Sequence, residues 1–454
     1  MESLLSKLRK SRKNILAKNN VIGNYDFHTT IVTLESFENK HIIELDKNIN
    51  ILKEHQNTGV PAPLVVYESI SNITVYACHE YTHFLDCTST LWGFRYLELM
   101  SQAYSVDNKR FDFNTEEYFY FAKEFHDFIR SIKLPNYYTE IHEGNDAKGK
   151  WLVQQTLGHR FSSSGHITQI PILFMTFLNE NELPLVRSPI SILSLLECSA
   201  MSQEILHKIS LMSMLCNTDV FKVEFQRYND EMKKYLFNKN MTEYSVCAHF
   251  ISLWFNIQDI KQIFQASSLL SRAVLNTPID AFDSIYTKCD FLKLFNVTKE
   301  QEHVVRIKRG IKYRDLGILF YVICRALKKI NADEISLETI SDAFCELGVN
   351  PKELNDFITL EIETVSNSLT FSQIPSIKII ALAGLDNFKI LDKANSSLID
   401  FEKLNIPPIL LGDSEETNFL SGPNNSLCNV DLNSIFEDLH QGQRWVDRFT
   451  DACM

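Results

Sequence analysis

The stretch Ala77-Cys78-His79-Glu80-Tyr81-Thr82-His83-Phe84-Leu85 constrains this chain more than any other. It contains His-Glu-x-x-His. On an α-helix, residues four apart lie one above the other on the same face. Two imidazoles stacked in that way can share one Zn²⁺ ion. Glu80, one step round the helix, can then reach a water at the ion as general base. The flanks are uncharged from Val75 to Cys78, and Tyr81, Thr82, Phe84 and Leu85 are uncharged too. A mostly apolar helix suits a buried metal site, which must exclude bulk water and hold its ligands rigidly. The plainer alternative is an amphipathic helix whose histidines make ordinary hydrogen bonds.

A chain of 454 residues has room for two or three domains, each with its own core. Only 14 Gly and 12 Pro imply few tight turns and much helix, so the expected class is α+β, mostly α. The net charge of −12 argues against nucleic acid as the main partner. The basic cluster Arg306, Lys308, Arg309, Lys312 and Arg314 accordingly reads as a solvated helix end. Ten cysteines without a Cys-x-x-Cys pair fit small hydrophobes in a reducing cytosol, so a cytoplasmic protein is expected. The longest strongly apolar run, Ile318 to Cys324, is too short to span a bilayer. Residues 1–20 carry Lys7, Arg9, Lys10, Arg12, Lys13 and Lys18 against Glu2, with no apolar stretch of a secretory signal. They read as a solvated helix or loose basic arm, with a membrane-surface helix as the alternative.

Along the chain, Ile31–Leu34, Ile42–Leu45 and Leu64–Tyr67 are short strand candidates, and 60–63 is a proline turn. Ser71 is the expected N-cap of the motif helix, which should run to about Cys87. A second helix is expected from Leu91 to about Tyr104. A third starts at the N-cap Asn114, with Glu117 three places on, and ends at Ile132. Strands then cover much of Trp151 to Arg187. Ile170–Leu178 and Leu183–Arg187 flank the polar turn 179–182 as in a hairpin. Ser188-Pro189 is the expected start of a helix reaching about Cys216. Helices follow, with N-terminal signals at Thr298/Gln301 and Asn350-Pro351/Glu353. From Ile406 onward Pro, Gly and Asn predict a loop-rich tail, packed through Phe436 and Trp445, and the tail or the helical domain is expected to control access to the site.

A catalytic zinc needs three protein ligands and an open position. The helix after Ser188-Pro189 carries Glu197 in an apolar setting, where a carboxylate is costly unless paired or metal-bound. Glu204, seven residues on, lies near the same face and is the second candidate. The run His-Glu-Tyr-Thr-His-Phe-Leu, the Ser/Thr-rich turn before Trp92-Gly93, and Ser188-Pro189 leading into Leu195-Leu196-Glu197 and Glu204 resemble uncharacterised bacterial zincin-like metallopeptidases of gluzincin type. The resemblance covers residues 65–210. It implies His79, His83 and Glu197 as Zn²⁺ ligands and Glu80 as base. The chain has Asp86 three places after the second His, where a hydrophobic residue is usual. It has Met201 four places after Glu197, where better-known gluzincins have an acid. Orientation of a histidine then falls to Glu204 or Asp86, as groups behind the ligands.

Peptide hydrolysis also needs a donor for the developing oxyanion. His159, Arg160, His166 and Arg187 lie between the two halves of the motif, and His166 is favoured as the catalytic donor because it leads into the hairpin. That hairpin is the expected edge for an extended peptide substrate. The organisation expected is a basic arm (1–20), a zincin-like domain with a small sheet and the motif helix (21–216), a helical domain (217–405) and the tail (406–454). The function expected is zinc-dependent hydrolysis of a peptide or protein substrate. The alternatives are a catalytically degenerate zincin-like protein and a helical interaction protein acting through a partner.

Overall fold

A computed structural model describes residues 2–13, 22–105, 115–145, 147, 151–162, 165–215, 218–327, 335–394 and 396–453. The chain is 65% helical with two four-stranded sheets, an α+β protein dominated by helix. The expected cap at Asn114, the helix end at Cys216 and the second half of the basic arm lie outside the described residues. No helix among the described residues is long and apolar enough to cross a membrane.

The strands in chain order are β1 (Asn24–Tyr25), β2 (Val32–Leu34), β3 (Glu140–Ile141), β4 (Leu152–Phe161), β5 (Ile167–Leu178), β6 (Pro184–Pro189), β7 (Ile409–Leu411) and β8 (Glu416–Thr417). They form sheets of order β1-β2-β7-β8 and β3-β6-β5-β4. The chain divides into two compact units, each discontinuous. Residues 1–132, 203–226 and 363–454 make the first; residues 133–202 and 227–362 make the second. This interleaving differs from the linear division at 216 and 405. Its cause in the first unit is a parallel pairing of β2 with β7, Val32 opposite Ile409 and Leu34 opposite Leu411, which brings the two ends of the chain into one sheet.

The first unit opens with α1 (Leu4–Ser11), then α2 (Asn39–Thr58), α3 (Leu64–Thr88), α4 (Leu91–Tyr104) and α5 (Thr115–Ile132). The first half of the basic arm is not loose. Leu4, Leu5 and Leu8 bury one face of α1, while Arg9 and Arg12 both reach Glu35. Two strand candidates are helical instead. Ile42 and Leu45 are buried and Ile43 is exposed, which is i, i+3 spacing and not alternation. Likewise Val66, Tyr67 and Ile70 are buried while Val65 is 73% exposed, so the Leu-Val-Val-Tyr run is the first turn of α3. Burial of a helical stripe overrides β-propensity there. The motif helix therefore starts at Leu64 after Pro63, seven residues before Ser71.

Helix α3 is packed against α2, α4, the β1–β2 pair and the helix Pro375–Lys393. Gly384 of that last helix lies over the end of α3, where a Cβ would stand 1.9 Å from the Thr88 carbonyl oxygen. Only glycine permits the approach. The segment after Ile406 is loop-rich over residues 412–431, but its two ends are ordered into the body. Residues 404–411 are buried, and a 22-residue helix, Leu432–Cys453, closes the chain. Asparagines hold the segment in place. Asn387 donates to the Asn405 carbonyl (2.8 Å) and accepts from the Asn405 amide (2.7 Å). Asn425 does the same for Ile406, at 2.6 and 3.1 Å.

In the second unit, β5 pairs with β4 over nine registered positions and with β6 on its other side. The β5–β6 hairpin expected from the sequence is present, but β5 is interior, and the long edge strand is β4. Ser188-Pro189 belongs to β6, where Pro189 lies opposite Phe174 and beyond the two residues of β6 that pair with β3. A missing N–H costs nothing on that free side. Helix α6 (Ile192–Met212) begins at Ser191 instead. The Ser191 hydroxyl accepts from the Ser194 amide (3.2 Å), and the Ser194 hydroxyl accepts from the Ser191 amide (2.7 Å), a reciprocal cap. The Asn350 side chain caps the helix Pro351–Thr370 at the Glu353 amide, as expected. The helix Glu302–Lys312 starts after Gln301 and not at Thr298. Its arginines are engaged within the unit, Arg306 with the Leu157 carbonyl (2.8 Å) and Arg309 with Gln169 (2.6 Å).

His249 is fully buried here, stacked on Phe177 at 4.2 Å and ringed by Trp151 and Phe237. Burial drives its pKa down to about 3.

Two outcomes follow. Truncation after Ile406 removes β7 and the asparagine-held segment, so circular dichroism should show the cooperative melting of the first unit lost; a truncated chain with wild-type melting would contradict the pairing. Second, His249 is neutral in the fold but protonates when unfolded below pH ~6.5. Its contribution is intact above that pH and declines as pH falls towards 3. His249→Phe should therefore reduce the loss of unfolding free energy between pH 7 and 5 by about 2 kcal/mol. An unchanged pH dependence in urea titrations would count against a buried neutral imidazole.

Candidate metal centre

The motif residues sit in the most buried part of α3, where every side chain from Tyr81 to Thr88 is buried. His83 is 2% exposed and His79 is half-buried. Their rings cross at 80° with centroids 4.9 Å apart. The two Nε2 atoms approach to 3.2 Å. Helical spacing alone brings the rings to one face; the convergence of the two Nε2 lone pairs depends on rotamers fixed by packing.

Glu197 and Glu204 both lie on α6, two turns apart. One ligand atom each from His79, His83 and Glu197 lie within 4.8 Å of one another, and Glu197 is 6% exposed. Glu204 takes a different part. Its Oε2 lies 3.0 Å from His79 Nδ1. A carboxylate accepts, so Nδ1 carries the proton, which leaves Nε2 as the nitrogen that can ligate when the ring is neutral. The part of α6 that carries Glu204 is anchored on both sides. Gln203 donates to the Ser397 carbonyl (2.8 Å) and accepts from the Ile399 amide (2.9 Å). His207 Nε2 donates to the Ile399 carbonyl (3.0 Å).

Glu80, next to His79 in the motif, lies against the segment that leads into β1, with the Tyr25 backbone bonded to it. A Cβ on Gly23 would come 3.0 Å from its Cγ and 3.1 Å from its Oε1, so the glycine leaves room for the carboxyl group. Burial raises the Glu80 pKa to about 7 against the pull of His79; the Glu204 charge adds to the rise, and the Tyr25 backbone and Arg12 oppose it. Burial also holds His83 well below the ordinary imidazole range, and His79 adds to that.

The donor set fits a zinc ion. Two imidazole nitrogens and a carboxylate are ordinary zinc donors, and nitrogens ~2.1 Å from one tetrahedral ion lie roughly 3.4 Å apart. The observed Nε2 separation of 3.2 Å is close to that. Asp86 is buried at 3%, one helical turn after His83, and the orienting contact to His79 is made by Glu204. The candidates for an oxyanion donor are engaged or exposed. Arg160 pairs with Asp315 at 3.0 Å, Arg187 lies 3.7 Å over the Phe174 ring, and His159 is a half-buried residue of β4. His166 is exposed between β4 and β5, its amide bonded to the Ser162 hydroxyl (3.1 Å).

Gly23, Tyr25 and Arg12 were not legible as site residues. They act on Glu80 through strand β1 and helix α1, and the only local hint is a glycine immediately before a strand. No family model matches the chain, and no curated protein or solved structure matches it.

Proposed function

We propose that the chain is a zincin-like, zinc-dependent peptidase. What supports this reading above all is the convergence of one ligand atom each from His79, His83 and Glu197 within 4.8 Å, inside apolar helices and next to Glu80. His79, His83 and Glu197 would hold the ion. When bound, Zn²⁺ supplies Lewis acidity, acidifying a water and polarising a peptide carbonyl. Glu80 takes the proton from the attacking water and returns it to the leaving amine. Glu204 holds His79 in the tautomer whose Nε2 can ligate. The buried walls of α3 keep bulk water from the reacting groups. The substrate is a peptide or protein.

Glu80→Gln keeps the shape of the side chain but cannot accept a proton at neutral pH. It should retain one zinc per chain and lose 10²- to 10⁴-fold in turnover of a mixed peptide pool. His83→Ala should lose zinc and stability together, because binding energy at such a site is also folding energy. Wild-type turnover by Glu80→Gln would remove Glu80 as base and the mechanism with it.

Glu204→Gln tests the orienting contact separately. An amide can accept from Nδ1 only weakly, so zinc affinity should fall by about 10- to 100-fold, measured by competition with a chromogenic chelator. Unchanged affinity would show that His79 is oriented by something else.

A further inference from the structure

The second unit contains a cavity of about 810 Å³ that the peptidase reading does not use. Its size is within the range of small-molecule sites. Its wall is apolar for the most part, with Trp151, Leu185, Leu236, Phe237, Ile257 and Ile263, and Asn238, Asn240, Ser252 and Gln258 add polar groups. Behind Trp151 and Phe237 sits the fully buried His249. The mouth is different. Lys233, Lys234 and Lys239 line it, and no carboxylate of a described residue does. Lys239 is tied down, its ammonium donating to the Asn145 carbonyl at 2.8 Å. Lys233 and Lys234 form no ion pair with a described residue. In a chain of net charge −12, two lysines at an apolar hollow, neither ion-paired with a described residue, are unexpected.

We propose that this cavity binds a small amphipathic anion, an acyl-chain-like apolar body in the cavity with one anionic head at the lysines. The body would displace water from aromatic and aliphatic surface, the main favourable term. The head would be held by Lys233 and Lys234, whose flexible stems let the ammonium groups close on it. A carboxylate and a phosphate monoester meet the same chemistry, and the two can be told apart by direct comparison.

The test is isothermal titration of the full chain with dodecanoate, dodecyl phosphate, dodecyltrimethylammonium and dodecyl maltoside, each below its micelle concentration. One equivalent of dodecanoate or dodecyl phosphate should bind, at least tenfold tighter than the cation or the neutral glycoside. The tighter of the two anions identifies the head. The double variant Lys233→Glu/Lys234→Glu, which alters half-buried and exposed positions, should weaken anion binding at least tenfold. Leu253→Trp, which fills the cavity, should abolish binding with an unchanged melting curve. Equal affinity for cation and anion, several equivalents per chain, binding that survives the lysine reversals, or no binding of either anion would each overturn the proposal. If Leu253→Trp fails to fold, the lysine pair alone decides.

Discussion

Two imidazole nitrogens facing each other at 3.2 Å are the interaction on which the first unit's centre depends. In an apolar helix such groups lose most of their hydration. Polar groups buried without full compensation cost ~1–3 kcal/mol each, and unpaired charges more. The Glu204 contact satisfies His79 at one nitrogen and leaves the other facing its neighbour. A cation at that point would replace the contact between the two rings with shared ligation, which is why the arrangement makes physical sense as a metal centre.

The architecture around it serves rigidity. Helix α3 is clamped between α2, α4, the first sheet and the helix Pro375–Lys393, with the Thr88–Gly384 approach leaving no room for even a methyl group. Tyr81, within the motif, donates to the Pro407 carbonyl at 2.6 Å, so the late segment of the chain is bonded directly to the helix that carries the histidines. The parallel β2–β7 pair then makes the two ends of the chain mutually dependent. A site built on a helix held from several directions keeps its rotamers better than one built on loops.

How much of this was legible depended on the range of the information. The bounds of α4, the end of α3 and the β5–β6 hairpin follow from local signals, a threonine cap, apolar spacing and a polar turn. The carboxylates of α6 stood out because they interrupt an apolar helix. Their separate parts, Glu197 towards both histidines and Glu204 on Nδ1, depend on how two helices face each other and have no local signature. The β2–β7 pairing is invisible for the same reason, since three-residue strands far apart in sequence carry no register information. Leu64–Tyr67 misled because a β-branched run has strand propensity, and only the burial of Val66, Tyr67 and Ile70 together decides for helix. The Pro- and Asn-rich segment after Ile406 was only partly legible, because Asn425 in it satisfies buried backbone groups, which composition alone does not reveal.

The central claim is that His79, His83 and Glu197 hold one zinc ion. X-ray absorption at the zinc edge of the purified chain tests it most directly. The account predicts one zinc per chain with a first shell of nitrogen and oxygen at about 2.0–2.1 Å and imidazole scattering beyond it, lost in His79→Ala. A sulfur shell at about 2.3 Å, iron in place of zinc, or a zinc signal that persists in His79→Ala would contradict it.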